Sequence, residues 1–193
     1  SIRRQRQMCI RDSCWSDHYA IIKAANFIIQ NASKTPTDAA SLNQAIGQAK
    51  FWRAYAYFTL VRLFGDIPLT LTNENDDFTM KPSSVEQVYE QIVADLTSDE
   101  CEGLPASYKN APAFLNGVNV YVTKQAVEAT RAAVYMAMAG WPLGKGTAYY
   151  KKAADEAKKV IEGERNGIYD IRMDENFYDV YALSLIHISE PTR

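Results

Sequence analysis

Few side chains in this sequence have the chemistry to hold a ligand. Trp15, His18 and Tyr19 crowd the start of the first predicted helix, and Trp141 sits in the turn Gly-Trp-Pro-Leu-Gly-Lys-Gly. Aromatic faces stack on the apolar face of a pyranose ring, and a flanking His, Asn, Asp or Arg bonds its hydroxyls. These four residues are the candidates for such contacts. Each also has a plainer role. Trp15 and Tyr19 suit anchors of the first helix, and Trp141 suits a wedge between the two helices that flank its turn. The packing roles come first.

Other chemistries find less support. The run GWPLGKGT echoes a phosphate-binding loop, but Lys145 is followed by Gly146 rather than Ser or Thr, and a helix rather than a strand precedes it. The acidic run Asn73 to Asp77 lacks the glycine and terminal glutamate of a calcium loop, so a solvated loop is expected there. Asn31-Ala32-Ser33 is a formal glycosylation sequon and is uninformative about function. Cys14 and Cys101 are too far apart in sequence to suggest a metal site, and no cofactor is implied. With no nucleophile–base pair, catalysis has little to build on, and the expectation is a protein that is not an enzyme.

The termini read as foreign to the rest. Codons ATG TGT ATA AGA GAC AGN for Met8 to Ser13 have a reverse complement that reads Leu-Ser-Leu-Ile-His-Ile, the sequence of Leu183 to Ile188. One short DNA element read on opposite strands accounts for both ends. Residues 1–13 and 183–193 are therefore read as translated sequencing-adapter DNA, leaving 14–182 as the native part. That part carries 16 basic and 21 acidic residues, a net charge of −5, with His18 as its one histidine. No basic excess supports nucleic-acid binding, and no apolar run reaches membrane-spanning length.

The elements that must position the candidates read as helices. The first is expected over Asp17 to Asn31, with Tyr19, Ile22, Asn26 and Ile29 on one face. The second runs from about Ala40 to Phe64, with a buried stripe at Leu42, Ala45, Ala49, Trp52, Ala56 and Leu60, widened by Phe51, Tyr55, Phe58 and Leu63. Arg53, within it, is expected to snorkel or to cap a carbonyl. Gly65 and Pro68 stop the helix. A third helix begins at Ser84, which can form a capping box with Gln87, and buries Val85, Val88, Tyr89, Ile92, Val93 and Leu96. A long loop, Ser98 to Val122, leads to a fourth helix capped by Thr123. Its small residues Ala126, Ala129, Ala133 and Ala137 suit close approach of a neighbour. A fifth runs from Ala148 to Glu162, followed by turns or a short strand. The expected fold is all-α, built of tetratricopeptide-like helical pairs with long connecting loops.

The run AKFWRAYAYFTLVRLFGDIPL resembles the signature of the SusD/RagB family, through Ala49, Phe51, Arg53, Ala54, Tyr57, Phe58, Leu60, Phe64, Gly65, Asp66, Pro68 and Leu69. WSDHYAIIKAANFII, SSVEQVYEQIVADL, VTKQAVEATRAAVYMAMAG and YYKKAADEAKKVIEG resemble the family's helices in the family's order, so the likeness covers nearly all of Trp15 to Gly163. Trp52 departs from the pattern, where the family more often has Leu. The resemblance implies a surface lipoprotein of the bacterial outer membrane that captures glycans, sometimes peptides, for uptake. Its implied partner is a SusC-like TonB-dependent transporter. It also implies a protein far longer than this chain, with a lipid-bearing cysteine that Cys14 is not. A tetratricopeptide-like scaffold for a protein partner is the alternative.

Overall fold

No glycine or proline interrupts the chain between Ile2 and Asn31, and the computed structural model is helical throughout that span. The structure describes residues 2–73, 80–107, 114–115, 118–119 and 121–169. Helix α1 (Ile2–Asn31) thus begins well before the expected Asp17, because nothing in the preceding residues breaks a helix. A 3-10 turn (Ala32–Lys34) leads to α2 (Ala39–Phe64), α3 (Val85–Leu96) and the single turn α4 (Asp99–Glu102). A two-residue antiparallel ladder, β1 (Phe114–Leu115) with β2 (Val118–Asn119), precedes α5 (Lys124–Ala139) and α6 (Thr147–Arg165). Most of the acidic run, 74–77, and the closing segment from 170 onward lie outside the described residues.

The architecture is all-α, as the periodicity predicts. Helices α1 and α2 form one antiparallel hairpin, with Trp15, midway along α1, against Phe64 at the end of α2. Helices α5 and α6 form another, and α3 lies between the hairpins, reaching α2 through Tyr89 and Phe58 and α5 through Leu96 and Arg131. The shared core holds Ile22, Tyr57, Leu60, Ile67, Val88, Ile92, Leu96, Val127 and Val134, all essentially inaccessible. Helix starts use side-chain caps: Asp38 accepts from Ser41 N at 2.9 Å, and Ser84 and Gln87 form the reciprocal box. Thr123 occupies the N-cap of α5 without making the side-chain bond expected of it; its hydroxyl is buried and unpartnered.

The buried face of α2 lies about one residue away from the predicted stripe. Ala49, Ala56 and Leu60 are buried as expected, with Phe51 and Phe58, but Trp52 is 43% exposed and Tyr55 and Leu63 are exposed too. Arg53, Ala54, Tyr57 and Val61 take the inner positions instead. Hydrophobicity misplaces the face because its centre is charged. Arg53 is 5% exposed and neither snorkels nor caps a carbonyl. Its Nε and Nη2 donate to the two oxygens of Asp95 on α3 at 2.8 and 2.6 Å, and Nη1 donates to Asn26 Oδ1 on α1 at 2.8 Å. Gln91 completes the carboxylate at 3.0 Å, and Asn26 passes its amide on to Thr70 O at 3.0 Å. A planar guanidinium can satisfy three directions at once, so one side chain ties three helices.

A second arginine does the same for the other hairpin. Arg131 on α5 donates through Nε to Glu156 on α6 at 2.8 Å, through Nη1 to Leu96 O at 3.2 Å, and also to Glu102 on α4. Burial alone would push the Glu102 carboxyl up, but the bond from Arg131, aided by Lys124, holds it below its ordinary value of 4.5. Glu100, bonded by Lys50 at 2.6 Å, is held low as well. The turn α4 sits directly on α2 at Gly47, where a Cβ would come 2.4 Å from Glu100 O. Glycine is therefore required there by contact. Only half of the small-residue stripe of α5 faces inward: Ala126 and Ala137 pack against the core, while Ala129 and Ala133 are exposed, because Glu128 and Arg131 turn the neighbouring face inward.

Arg53→Met would strand the Asp95 carboxylate, 3% exposed, without its counter-charge. The expected loss is about 3–5 kcal/mol by urea denaturation, and Arg53→Met/Asp95→Leu recovers much of it. The pH dependence has a definite sign. A carboxyl whose folded pKa is depressed contributes fully above its unfolded value and loses that contribution as pH falls through the folded one. Glu102→Gln should therefore lower the urea midpoint at neutral pH, and its curve should converge with that of the wild type below the ordinary value of 4.5. Parallel curves across that range would remove Glu102 from the account.

Candidate functional site

The aromatic cluster midway along α1 is tied into the fold. Trp15 stands edge-on to Phe64 at 4.9 Å and lies 4.9 Å from Tyr19, both between ring centroids. The Tyr19 hydroxyl donates to Pro68 O at 2.7 Å, and burial pushes its pKa well up. His18 is half-buried, with Nδ1 2.7 Å from Cys14 O one helical turn back. Trp15 and Tyr19 thus hold α1 to the end of α2.

The Gly-Asp-Ile-Pro-Leu segment is occupied residue by residue. Gly65 takes φ 75°, the left-handed region that ends α2. Asp66 Oδ1 accepts from Val85 N at 2.9 Å, which starts α3. Ile67 is fully buried and pairs with Ser83 through bonds of 3.2 and 2.9 Å, closing the neck of the acidic loop. The carbonyl of Pro68 receives Tyr19. Thr70 donates to and accepts from the Tyr57 hydroxyl, both at 2.8 Å.

Trp141 is placed differently. Its side chain does not wedge between α5 and α6; it is 92% exposed. The turn that carries it is well fixed. Gly144 N bonds Gly140 O at 2.7 Å, Lys145 N and Gly146 N bond Met138 O and Ala139 O at 3.0 Å each, and Lys145 pairs with Glu86 on α3. Those bonds hold the loop down on the ends of its helices and leave the indole outside. Trp141 borders a cleft of about 590 Å³ lined also by Arg62, Asp66, Val85, Tyr89 and Pro142. Arg62 is stacked on the Phe58 ring at 4.2 Å and bonded through Nε to Phe58 O at 3.2 Å. Both contacts leave its two terminal nitrogens available. Asp66 spends one oxygen on Val85. Sequence reasoning does not single out Arg62, and it reads Asp66 only as part of a helix stop; their one signal is that they lie four residues apart at that stop.

A second concavity, of about 370 Å³, lies between α1 and α2 and is lined by Ile21, Ala24, Ile28, Ala49, Trp52 and the stem of Gln48. The Gln48 amide is committed at both ends to Val122, at 2.7 and 3.0 Å. This groove therefore offers apolar surface and no free hydrogen-bonding group. Among the described residues no three His, Cys, Asp or Glu side chains gather as a metal site. Cys14 and Cys101 are free thiols, and burial pushes the Cys101 thiol up to about 11.

With this geometry in hand, the relatives are informative. Residues 6–136 match the family model described as SusD-like, starch-binding associating with outer membrane. SusD-like protein P2 of Formosa agariphila is 34% identical over 172 residues, covering 86% of this chain and 30% of that protein. A SusD superfamily protein from Parabacteroides distasonis, solved by crystallography, is 32% identical with a TM-score of 0.69, over 79% of this chain and 31% of that one. A further crystal structure, with xylogluco-oligosaccharide, shares the fold at 24% identity and TM-score 0.69, over 87% of this chain and 32% of that one. The chain belongs to the SusD-like family, and its helical fold is shared with solved SusD superfamily structures. It spans about three tenths of the length of the relatives it matches.

The exposure of Trp141 has a direct optical test. Of the three tryptophans, it is the one that acrylamide should reach freely. Trp141→Phe is expected to remove most of the readily quenched emission, while Trp15→Phe leaves that component in place. Equal quenching before and after Trp141→Phe would show the indole to be covered.

Proposed function

We propose that the full-length protein captures glycan (or peptide) nutrients at the surface of the bacterial outer membrane, as a lipid-anchored protein without catalytic chemistry of its own. The single observation that carries this reading is the match of residues 6–136 to a family described as starch-binding and associated with the outer membrane. Capture without chemistry needs a rigid frame that presents aromatic faces and fixed polar groups. The arginine-tied bundle suits that task. Binding energy comes from stacking and hydroxyl hydrogen bonds, and the ligand is then handed to a SusC-like TonB-dependent transporter. Among the described residues no helix is long and apolar enough to cross a membrane; attachment in this reading is through lipid.

The uninterrupted gene, expressed with residues 14–182 in their native context and without the adapter-like ends, gives the material for the test. In affinity electrophoresis the full-length protein is expected to be retarded in gels containing soluble starch or xyloglucan. It is also expected to release no reducing ends from either polysaccharide on prolonged incubation. Steady release of reducing ends would make it an enzyme. Free migration in both gels, together with no retention of the transporter, would return the reading to a scaffold for some other protein.

A further inference from the structure

Two observations set the Trp141 cleft apart from the α1–α2 groove. The first is the indole itself. A tryptophan with 92% of its surface in water, on a turn fixed by four backbone and side-chain ties, gains nothing for the fold by being there. The second is the pair that shares its cleft. Arg62 is immobilised on Phe58 with its terminal nitrogens unspent, and Asp66 is immobilised by Val85 N with one oxygen unspent. The cleft thus presents a flat aromatic face, a fixed donor fork and a fixed acceptor. The Arg62 and Asp66 groups are held before any ligand arrives, so little ordering entropy is lost at them on binding.

We infer that this cleft, between the end of α2, the start of α3 and the α5–α6 turn, is a contact site for a neutral oligosaccharide, with Trp141 as the stacking platform and Arg62 and Asp66 as the hydroxyl partners. The inference rests on the glycan-capture reading and names a site for it. The chemistry selects the ligand class. A pyranose with mostly equatorial hydroxyls has an apolar face of C–H groups that lies flat on an indole, while its edge hydroxyls both donate and accept. Arg62 can only donate and the ionised Asp66 can only accept, so the pair matches the two roles of a hydroxyl-bearing edge. Their charges cancel, as do those of Lys145 and Glu86 beside them, so an acidic glycan finds no net attraction. The α1–α2 groove lacks this complement, because Gln48 is spent on Val122.

The test uses the full-length protein in affinity electrophoresis with soluble starch, xyloglucan and polygalacturonate. Wild type is expected to be retarded by at least one of the two neutral polymers and not by the acidic one. Trp141→Ala should weaken that binding by roughly tenfold or more, in keeping with loss of a central aromatic contact, and Trp141→Phe should restore part of it. Arg62→Gln should weaken it as well, and Trp52→Ala, in the apolar groove, should not. Thermal melting of Trp141→Ala should match wild type, since the side chain is exposed, so a loss of binding cannot be put down to unfolding. If wild type binds and Trp141→Ala and Arg62→Gln bind equally well, the site is wrong while glycan capture stands. If Trp141→Ala keeps its polysaccharide but loses the transporter, Trp141 belongs to a protein interface and the inference fails. If wild type is retarded by none of the polymers, the site fails, and the reading beneath it fails with it when the transporter is not retained either.

Discussion

The structure depends on a charge at the centre of its core. Arg53 sits on the inward face of α2, and three helices are arranged around the need to satisfy it. A buried guanidinium without partners would be strongly unfavourable, so the fold is acceptable only when Asp95 of α3 and Asn26 of α1 are both in place. That requirement sets distances and directions as apolar packing does not. Leu60 or Ile92 could tolerate a shift of an ångström; a fork bonded at 2.6 and 2.8 Å could not. The network also reaches outward, from Asn26 to Thr70, and so fixes the chain that leaves α2.

The second hub extends the same logic along the molecule. Arg131 joins α5 to α6, to α4 and to the last carbonyl of α3. Helix α3 is thus held at its Asp95 by one arginine and at its Leu96 by the other, on successive residues. The two hairpins are therefore referenced to a common point rather than merely packed against each other. The cleft beside Trp141 is bounded by α2, by α3 and by the α5–α6 turn, so its shape is a consequence of both hubs. Both arginines lie outside the cleft itself.

How much of this is legible in the sequence depends on which force places each residue. The capping box of α3 and its buried Val88, Tyr89, Ile92 and Leu96 are legible, because cap chemistry and hydrophobic periodicity agree there, but its buried Asp95 is not. The face of α2 is misread, because Arg53 occupies an inner position and Trp52 an outer one; a method that puts apolar residues inside must rotate the helix away from its true register. Ala129 and Ala133 of α5 mislead for the same reason, since Glu128 and Arg131 are the buried neighbours. Family likeness, by contrast, depends on the pattern of letters and not on which way they point. It therefore identifies the chain even where the burial of α2 is read wrongly. Trp141 lies beyond either kind of reasoning: whether an indole in a Gly-Trp-Pro turn folds inward or stands in water is decided by backbone bonds from Lys145 and Gly146 that leave no mark in composition.

The signature motif and the inferred site are distinct. Phe-Gly-Asp-Ile-Pro-Leu is the most distinctive string in the chain, and a distinctive string invites a role in binding. Its backbone and most of its side chains are already engaged: Gly65 in the left-handed stop, Ile67 in the core and the Ser83 bridge, Pro68 O with Tyr19. What the motif contributes is a sharp exit from α2 at a fixed angle, with Asp66 serving as the hinge-pin of α3. That exit leaves one carboxylate oxygen of Asp66 and the terminal nitrogens of Arg62 facing the same open cleft. In the inferred site the polar partners are therefore a by-product of how the helix stops, and the choice of ligand rests less on the motif than on the exposed ring that the α5–α6 turn brings beside them.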